Sequence, residues 1–142
     1  MKIAVIAVGK MKPTYYREAM DDYLGRLNHY ASVSEIEVRQ DAALARAIPK
    51  GMTTVALEVN GKAFDSRGLA RSLEEWGSNC KSGIAFLIGG AEGIPADLSQ
   101  RADFRLSVSS LTLPHRMARV LLAEQLYRSM TILRGEPYAR ED

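Results

Sequence analysis

The sequence predicts an α/β domain built on a mostly parallel sheet. Two observations carry that prediction. Apolar runs of strand length alternate with segments whose apolar residues recur at helical spacing. The strand-then-helix order also repeats along the chain, as crossovers between parallel strands require. Hydrophobic residues make up 46% and charged residues 25% of the chain, a packed composition rather than a disordered one. Its 142 residues suit one domain, 1–142.

The elements follow in order. "IAVIAV", residues 3–8, is a continuous apolar run and reads as a buried strand. Thr14 can cap a helix in which Tyr16, Met20, Tyr23, Leu24 and Leu27 share a face. "VSEIEVR", 33–39, alternates as a half-buried edge strand does. A short helix over 41–48 is stopped by Pro49 and Gly51. "TVALEV", 54–59, is the next strand, with Asn60-Gly61 turning the chain. Asp65 or Ser66 caps a helix that aligns Leu69, Leu73 and Trp76 and ends at Gly77. "GIAFLIGG", 83–90, is a buried strand. A short helix at 95–102, a strand at 104–108 and a long helix at 114–133 complete the chain.

Several function classes lose support at once. No apolar run approaches the roughly 20 residues that span a bilayer. The N-terminal apolar stretch is too short for a signal peptide, and no small-residue cleavage site follows it. A lone cysteine, Cys80, cannot form an internal disulfide and suits a reducing cytosol. The formal net charge is only +2, so nucleic-acid binding would need a local patch.

In parallel sheets, ligands bind beyond the carboxyl ends of the strands. Three segments compete for that place: the turn after 54–59, the glycine loop after 83–88, and the polar run after 104–108. The loop "IGGAEGI" brings Gly89, Gly90 and Gly93 together. It suits close backbone approach to a nucleotide-like ligand, or simply a tight turn. Its spacing is neither that of a dinucleotide fingerprint nor that of a P-loop. Ser107, Ser109, Ser110 and Thr112 cluster before Leu-Pro-His. Such hydroxyls can hold a ligand or their own backbone. Pro114 suits the first helical position and places His115 in the first turn. There the helix dipole disfavours the imidazolium, so a neutral ring can accept a proton. The helix behind it is apolar on more than one face and must bury the second one under other elements or against another subunit, for which a homodimer is the economical explanation.

"LIGGAEGI", "LTLPHRMARVLLAEQLYR" and the terminal "PYAR" closely resemble the RlmH family of SPOUT-class methyltransferases, and the element order agrees along nearly the whole chain. The resemblance implies a five-stranded parallel sheet flanked by helices, with a C-terminal trefoil knot. It implies S-adenosylmethionine (SAM) as methyl donor, no metal, and a cytoplasmic homodimer without membrane contact. The implied substrate is N3 of a pseudouridine (the 1915-type position) in helix 69 of 23S rRNA, within the assembled ribosome. By position, Leu57 lies under the cofactor, and Gly89 and Gly90 admit it closely. Val108, Ser109, Ser110, Leu111, Thr112 and Leu113 form the loop that wraps it. His115 becomes the candidate proton acceptor. Tyr138 and Arg140 become candidates for holding base or phosphate from a tail that reaches the other subunit. Two features depart from the family. Members usually carry histidine between that tyrosine and a basic residue, where this chain has Ala139. The 40–53 segment is shorter and poorer in lysine. A non-catalytic ribosome-binding dimer and a small nucleotide-binding sensor are the other classes compatible with the residues.

Overall fold

The computed structural model describes residues 1–79 and 82–141; Cys80 lies outside them. Five strands form one sheet in the order β2-β1-β4-β3-β5, every neighbouring pair parallel. They are β1 (Lys2–Val8), β2 (Ser32–Val38), β3 (Thr53–Ala63), β4 (Ile84–Ile88) and β5 (Phe104–Ser107). The helices are α1 (Tyr15–Leu27), α2 (Leu44–Ala47), α3 (Ser66–Ser78), α4 (Ala96–Arg101) and α5 (His115–Leu133), with 3-10 turns at Asp41–Ala43 and Pro137–Glu141.

Alternation along the inner strands builds two cores. Ile3, Val5 and Ala7 of β1 and Ile84, Phe86 and Ile88 of β4 face α1, α3 and α5, where they meet Met20, Leu73 and Leu122. Ala4, Ile6, Ala85 and Leu87 face the other way, towards Leu44 of α2 and Leu98 of α4. Both faces are covered, which is why these strands read as unbroken apolar runs. β2, at the sheet edge, is the half-buried strand its alternation predicts.

Local signals explain the helix starts. The Thr14 hydroxyl accepts the Tyr16 N–H at 3.2 Å, and the Asp65 carboxylate accepts the Gly68 N–H at 2.7 Å. Pro114 is the cap of α5 rather than its first helical residue.

One expectation needs correction. Asn60-Gly61 does not turn the chain. β3 runs on to Ala63, and Leu57 and Lys62 both pair with Leu106 of β5, so residues 58–61 leave the ladder between them. Gly61 is needed because a Cβ there would lie 2.7 Å from the Leu106 carbonyl carbon. The breadth of α5 also has an explanation inside one chain. Packed against both α1 and α3, it buries Leu122, Ala123, Leu126 and Met130, leaving Met117 43% exposed. Cover by other elements, one of the two possibilities that the apolar pattern leaves open, thus accounts for part of that breadth.

Gly61→Ala should force β3 and β5 apart at the break in register. Overpacking of this kind costs about 1–3 kcal/mol, and urea denaturation should show a lower midpoint with an unchanged slope.

Candidate functional site

The loops that follow β3, β4 and β5 close on one cavity of about 330 Å³, within the range of about 300–1,000 Å³ usual for small-molecule sites. It lies at the carboxyl ends of the strands, where a parallel sheet places its ligands. β3 contributes Leu57, Glu58, Val59 and Asn60. The β4 loop contributes Gly89, Gly90 and Gly93, and the segment after β5 contributes Val108, Ser109, Leu111, Thr112 and Leu113. The first turn of α5 closes it with His115 and Ala118.

The three segments proposed from sequence therefore converge. Of the expected cofactor-binding residues, Ser110 is the one that does not line the cavity. Part of the hydroxyl cluster serves the loop itself. Ser107 Oγ donates to the Ser109 carbonyl at 2.9 Å, and Ser109 Oγ accepts the Leu111 N–H at 2.9 Å. Leu111 stays 73% exposed, an apolar side chain at the mouth.

The glycine loop is shaped by its own backbone. A Cβ on Gly89 would lie 2.3 Å from the Gly93 carbonyl carbon, so glycine is required there for the loop to fold back on itself. Gly93 adopts a φ of 81° and donates its N–H to the Gly90 carbonyl at 3.0 Å. Gly90 in turn donates its N–H to Asp41 Oδ1 at 3.1 Å.

His115 is half-buried, and its Nε2 is buried without a hydrogen-bond partner among the described residues. Burial pushes its pKa down, the Arg119 charge adds to this, and the nearby carbonyls of Val8 and Gly89 oppose it. The result favours a neutral imidazole near pH 7, able to accept a proton.

Arg119, one turn further on, was not singled out in the sequence, although it lies on the same helical face as His115. It is 1% exposed. Its guanidinium donates to the Gly9 carbonyl at 3.0 Å, to Glu35 Oε2 at 3.0 Å and to Glu37 Oε2 at 2.5 Å. Glu37 also accepts the Met11 N–H at 2.8 Å, and Arg17 holds Glu35 at 2.6 Å. Burial alone would raise the Glu37 carboxyl; the Met11 amide and the Arg119 and Arg17 charges outweigh it and hold its pKa low.

Tyr138 and Arg140 are not at this cavity within one chain. Tyr138 donates its hydroxyl to Glu124 Oε2 at 2.8 Å, nine residues along α5 from His115, or roughly 13 Å at helical rise. Burial and Glu124 push the Tyr138 pKa up, so it remains a donor. Arg140 is exposed beside Arg67 and Ile132. The sequence reading also missed Glu58 and Asn60. Their only signal was their place directly after Leu57 at the end of a buried strand. Among the described residues, no group of three histidine, cysteine or carboxylate side chains is placed to hold a metal, and no helix is long and apolar enough to cross a membrane.

Residues 1–139 match the family model described as "Predicted SPOUT methyltransferase". A curated protein of Sorangium cellulosum named ribosomal RNA large subunit methyltransferase H is 51% identical, over 98% of this chain and 99% of its own. Its namesake from Acetivibrio thermocellus is 38% identical over 99% of this chain and 100% of its own. Two solved structures share the fold. One is a probable methylase family protein of Haemophilus influenzae, with a TM-score of 0.56 and 10% identity, covering 98% of this chain and 69% of that one. The other is the SpoU methyltransferase AviRb of Streptomyces viridochromogenes in complex with the cofactor AdoMet, with a TM-score of 0.51 and 14% identity, covering 94% of this chain and 58% of that one.

The Glu37–Arg119 contact gives a signed pH dependence. The folded pKa of Glu37 is depressed, so its stabilisation is present above the unfolded carboxylate value of about 4.3 and is lost as pH falls through the lower folded value. Glu37→Gln should cost about 1.5–3 kcal/mol near pH 7. The difference from wild type should vanish in acid below both values, as read by denaturation followed at several pH values.

Proposed function

Because this chain belongs to the SPOUT methyltransferase family, among the relatives named ribosomal RNA large subunit methyltransferase H, we propose that it transfers a methyl group from SAM to large-subunit rRNA. The observation that carries this reading is the cavity at the strand ends, where, among the side chains of the described residues that line it, His115 Nε2 is the buried polar atom without a partner. The finer target is N3 of the helix 69 pseudouridine in 23S rRNA, on the assembled ribosome in the cytoplasm.

The residues present fit such a cofactor. Leu57, Ile88, Leu111 and Leu113 offer apolar surface to an adenine. The backbones of Gly89 and Gly90 lie on the wall without side chains in the way, and Val108, Ser109 and Thr112 supply the opposite side. Ser110 extends the same loop beyond the cavity. When bound, SAM supplies a methyl group on a sulfonium, already activated for transfer to nitrogen. What the chain must do is position the base and take its proton. Orientation contributes roughly 7–11 kcal/mol in well-aligned reactions. His115 would accept the N3 proton of the base and pass it to water, while the residues above would hold SAM, which would give up its methyl group from sulfur and leave as S-adenosylhomocysteine.

The tail belongs to a homodimer in this reading. Tyr138 and Arg140 lie away from their own cavity, so a second copy has to bring them to it. There Arg140 meets rRNA phosphate and Tyr138 meets the base. The exposed Met117 and partly buried Val120 and Leu121 of α5 provide apolar surface for that contact. The C-terminal trefoil threading belongs to the same reading.

Labelled SAM with ribosomes lacking the modification, followed by mapping of the methylated nucleotide, tests the activity. Label on another nucleotide would move the target, and no label on any RNA would sink the reading. His115→Ala should lower turnover by about 10²–10⁴-fold, the usual contribution of a general acid–base group, while SAM affinity stays within a few-fold. Full single-turnover activity in that variant would remove His115 as the proton acceptor.

Subunit mixing tests the shared site. The His115→Ala and Arg140→Ala proteins should each be weak alone. Their mixture should recover about a quarter of wild-type activity, because half the dimers are mixed and each holds one intact site. No recovery after confirmed exchange would place Arg140 at its own chain's site or outside the reaction.

A further inference from the structure

We propose that Glu58 is a cofactor-binding residue whose carboxylate accepts hydrogen bonds from the ribose hydroxyls of the bound cofactor. The inference rests on the SAM reading above and on no assumption about the RNA target.

The break between β3 and β5 makes this possible. Leu57 and Lys62 both pair with Leu106, and residues 58–61 are released from the ladder between them. A strand residue that would otherwise face a neighbour is thereby brought to the cavity wall. Bulges re-aim side chains in this way beside sites. Among the lining residues, Glu58 and His115 are the ionisable ones, and Glu58 alone is acidic.

The carboxylate is held in place. Ser99 of α4 donates its hydroxyl to Glu58 Oε2 at 2.6 Å. Arg105 anchors Ser99 in turn, donating Nη1 to its carbonyl at 2.5 Å. No hydrogen bond or ion pair occupies Oε1 among the described residues, which leaves one oxygen of a fixed carboxylate available. An ionised carboxylate only accepts, so its ligand must present donors.

SAM offers two kinds of donor, the ribose diol and the ammonium of its methionine portion. The diol fits better. A half-buried carboxylate still in contact with solvent gains little from an ion pair with a mobile ammonium. Two adjacent hydroxyls match an acceptor with a free oxygen, and a carboxylate near a parallel-strand end recognises ribose in dinucleotide folds by the same chemistry.

Calorimetry on the purified full-length chain decides it, with S-adenosylhomocysteine and 5′-methylthioadenosine as probes. The second carries the same adenine and ribose but no amino acid. Glu58→Ala should weaken both by a similar factor of roughly 10–100, the range for a hydrogen bond to a charged acceptor. Against the 2′-deoxy form of methylthioadenosine, that penalty should shrink towards unity. Ser99→Ala, which keeps the carboxylate but frees it to rotate, should show a smaller loss of the same kind. Far-UV circular dichroism checks that each variant is folded. Unchanged methylthioadenosine affinity in folded Glu58→Ala overturns the proposal, and so does a loss confined to S-adenosylhomocysteine, which would assign Glu58 to the ammonium. A wild-type chain that binds neither probe overturns the cofactor reading and this one with it.

Discussion

One buried charge fixes the geometry of the site. The Arg119 guanidinium is withdrawn from water, a transfer costing several kcal/mol unless polar partners replace the solvent. Three do: the Gly9 carbonyl just past β1, and Glu35 and Glu37 on β2. Each comes from a different part of the chain than α5, so the helix is tied at one point to the edge of the sheet and to the β1–α1 connection. Rotating α5 about its axis would strand the guanidinium among apolar neighbours. His115, four residues earlier on the same face, inherits that orientation, and the Arg119 charge also helps hold its ring neutral. A methionine or leucine at 119 could pack as densely, and replacing buried ion pairs with apolar residues is often neutral or stabilising. Here such a replacement would release the Gly9 carbonyl from α5 and leave Glu35 to Arg17, and Glu37 to Arg17 and the Met11 amide.

The cavity itself is a consequence of imperfect pairing. If β3 paired with β5 along its whole length, Glu58, Val59 and Asn60 would be spent on the ladder and the strand ends would meet. Four residues instead stand out of register, and Gly61 lets the strand return to β5 by accepting a backbone where a Cβ would collide. The glycine loop across from it obeys a similar constraint. Gly89 is glycine because Gly93 and Ile94 cross directly over it. Both walls are thus built by backbone meeting backbone, and bound ligand is not needed to account for either glycine. Gly89 and Gly93 are thus set by the loop's own shape, and they line the cavity together with Ala91 and Ile94 beside them.

Much of this was legible in the chain. Ile3–Val8 and Ile84–Ile88 are covered on both faces, so their side chains carry no solvent alternation and read at once as inner strands. Thr14 and Asp65 announced their helices because a cap is a local bond. The three strand-end segments could be named as competitors because the rule placing ligands in parallel sheets is topological. What stayed hidden depends on contacts far apart in sequence. Asn60-Gly61 carries a turn composition, and only the approach of Leu106 reveals that the glycine serves a bulge. Arg119 looks like one more basic residue on a helix until Glu35 and Glu37, more than eighty positions away, come to meet it. The apolar breadth of α5 left two covers open, other elements or a second subunit, because the sequence does not show that α1 and α3 flank the same helix.

The two ends of α5 do different work, and the tail sharpens the contrast. At its start, His115 lines the cavity, and its Nε2 is buried without a hydrogen-bond partner among the described residues. Further along, the side chains are engaged with one another: Glu124 accepts from Tyr138 and pairs with Arg128, whose guanidinium lies 5.0 Å from the Tyr138 ring centre. The tail is therefore anchored through its tyrosine to its own helix, and Arg140 beyond it is left exposed. Ala139, between them, lies half-buried near Arg67 and Ile132. An imidazole there would have to find room or turn outward. The other histidine of the chain, His29, sits beyond the end of α1 with Nδ1 on the Gly25 carbonyl and outside the cavity lining. Of the chain's two histidines, His115 is therefore the one that lines this cavity, and the burial of its ring and the fixing of Arg119 one turn along the same face are parts of one local arrangement.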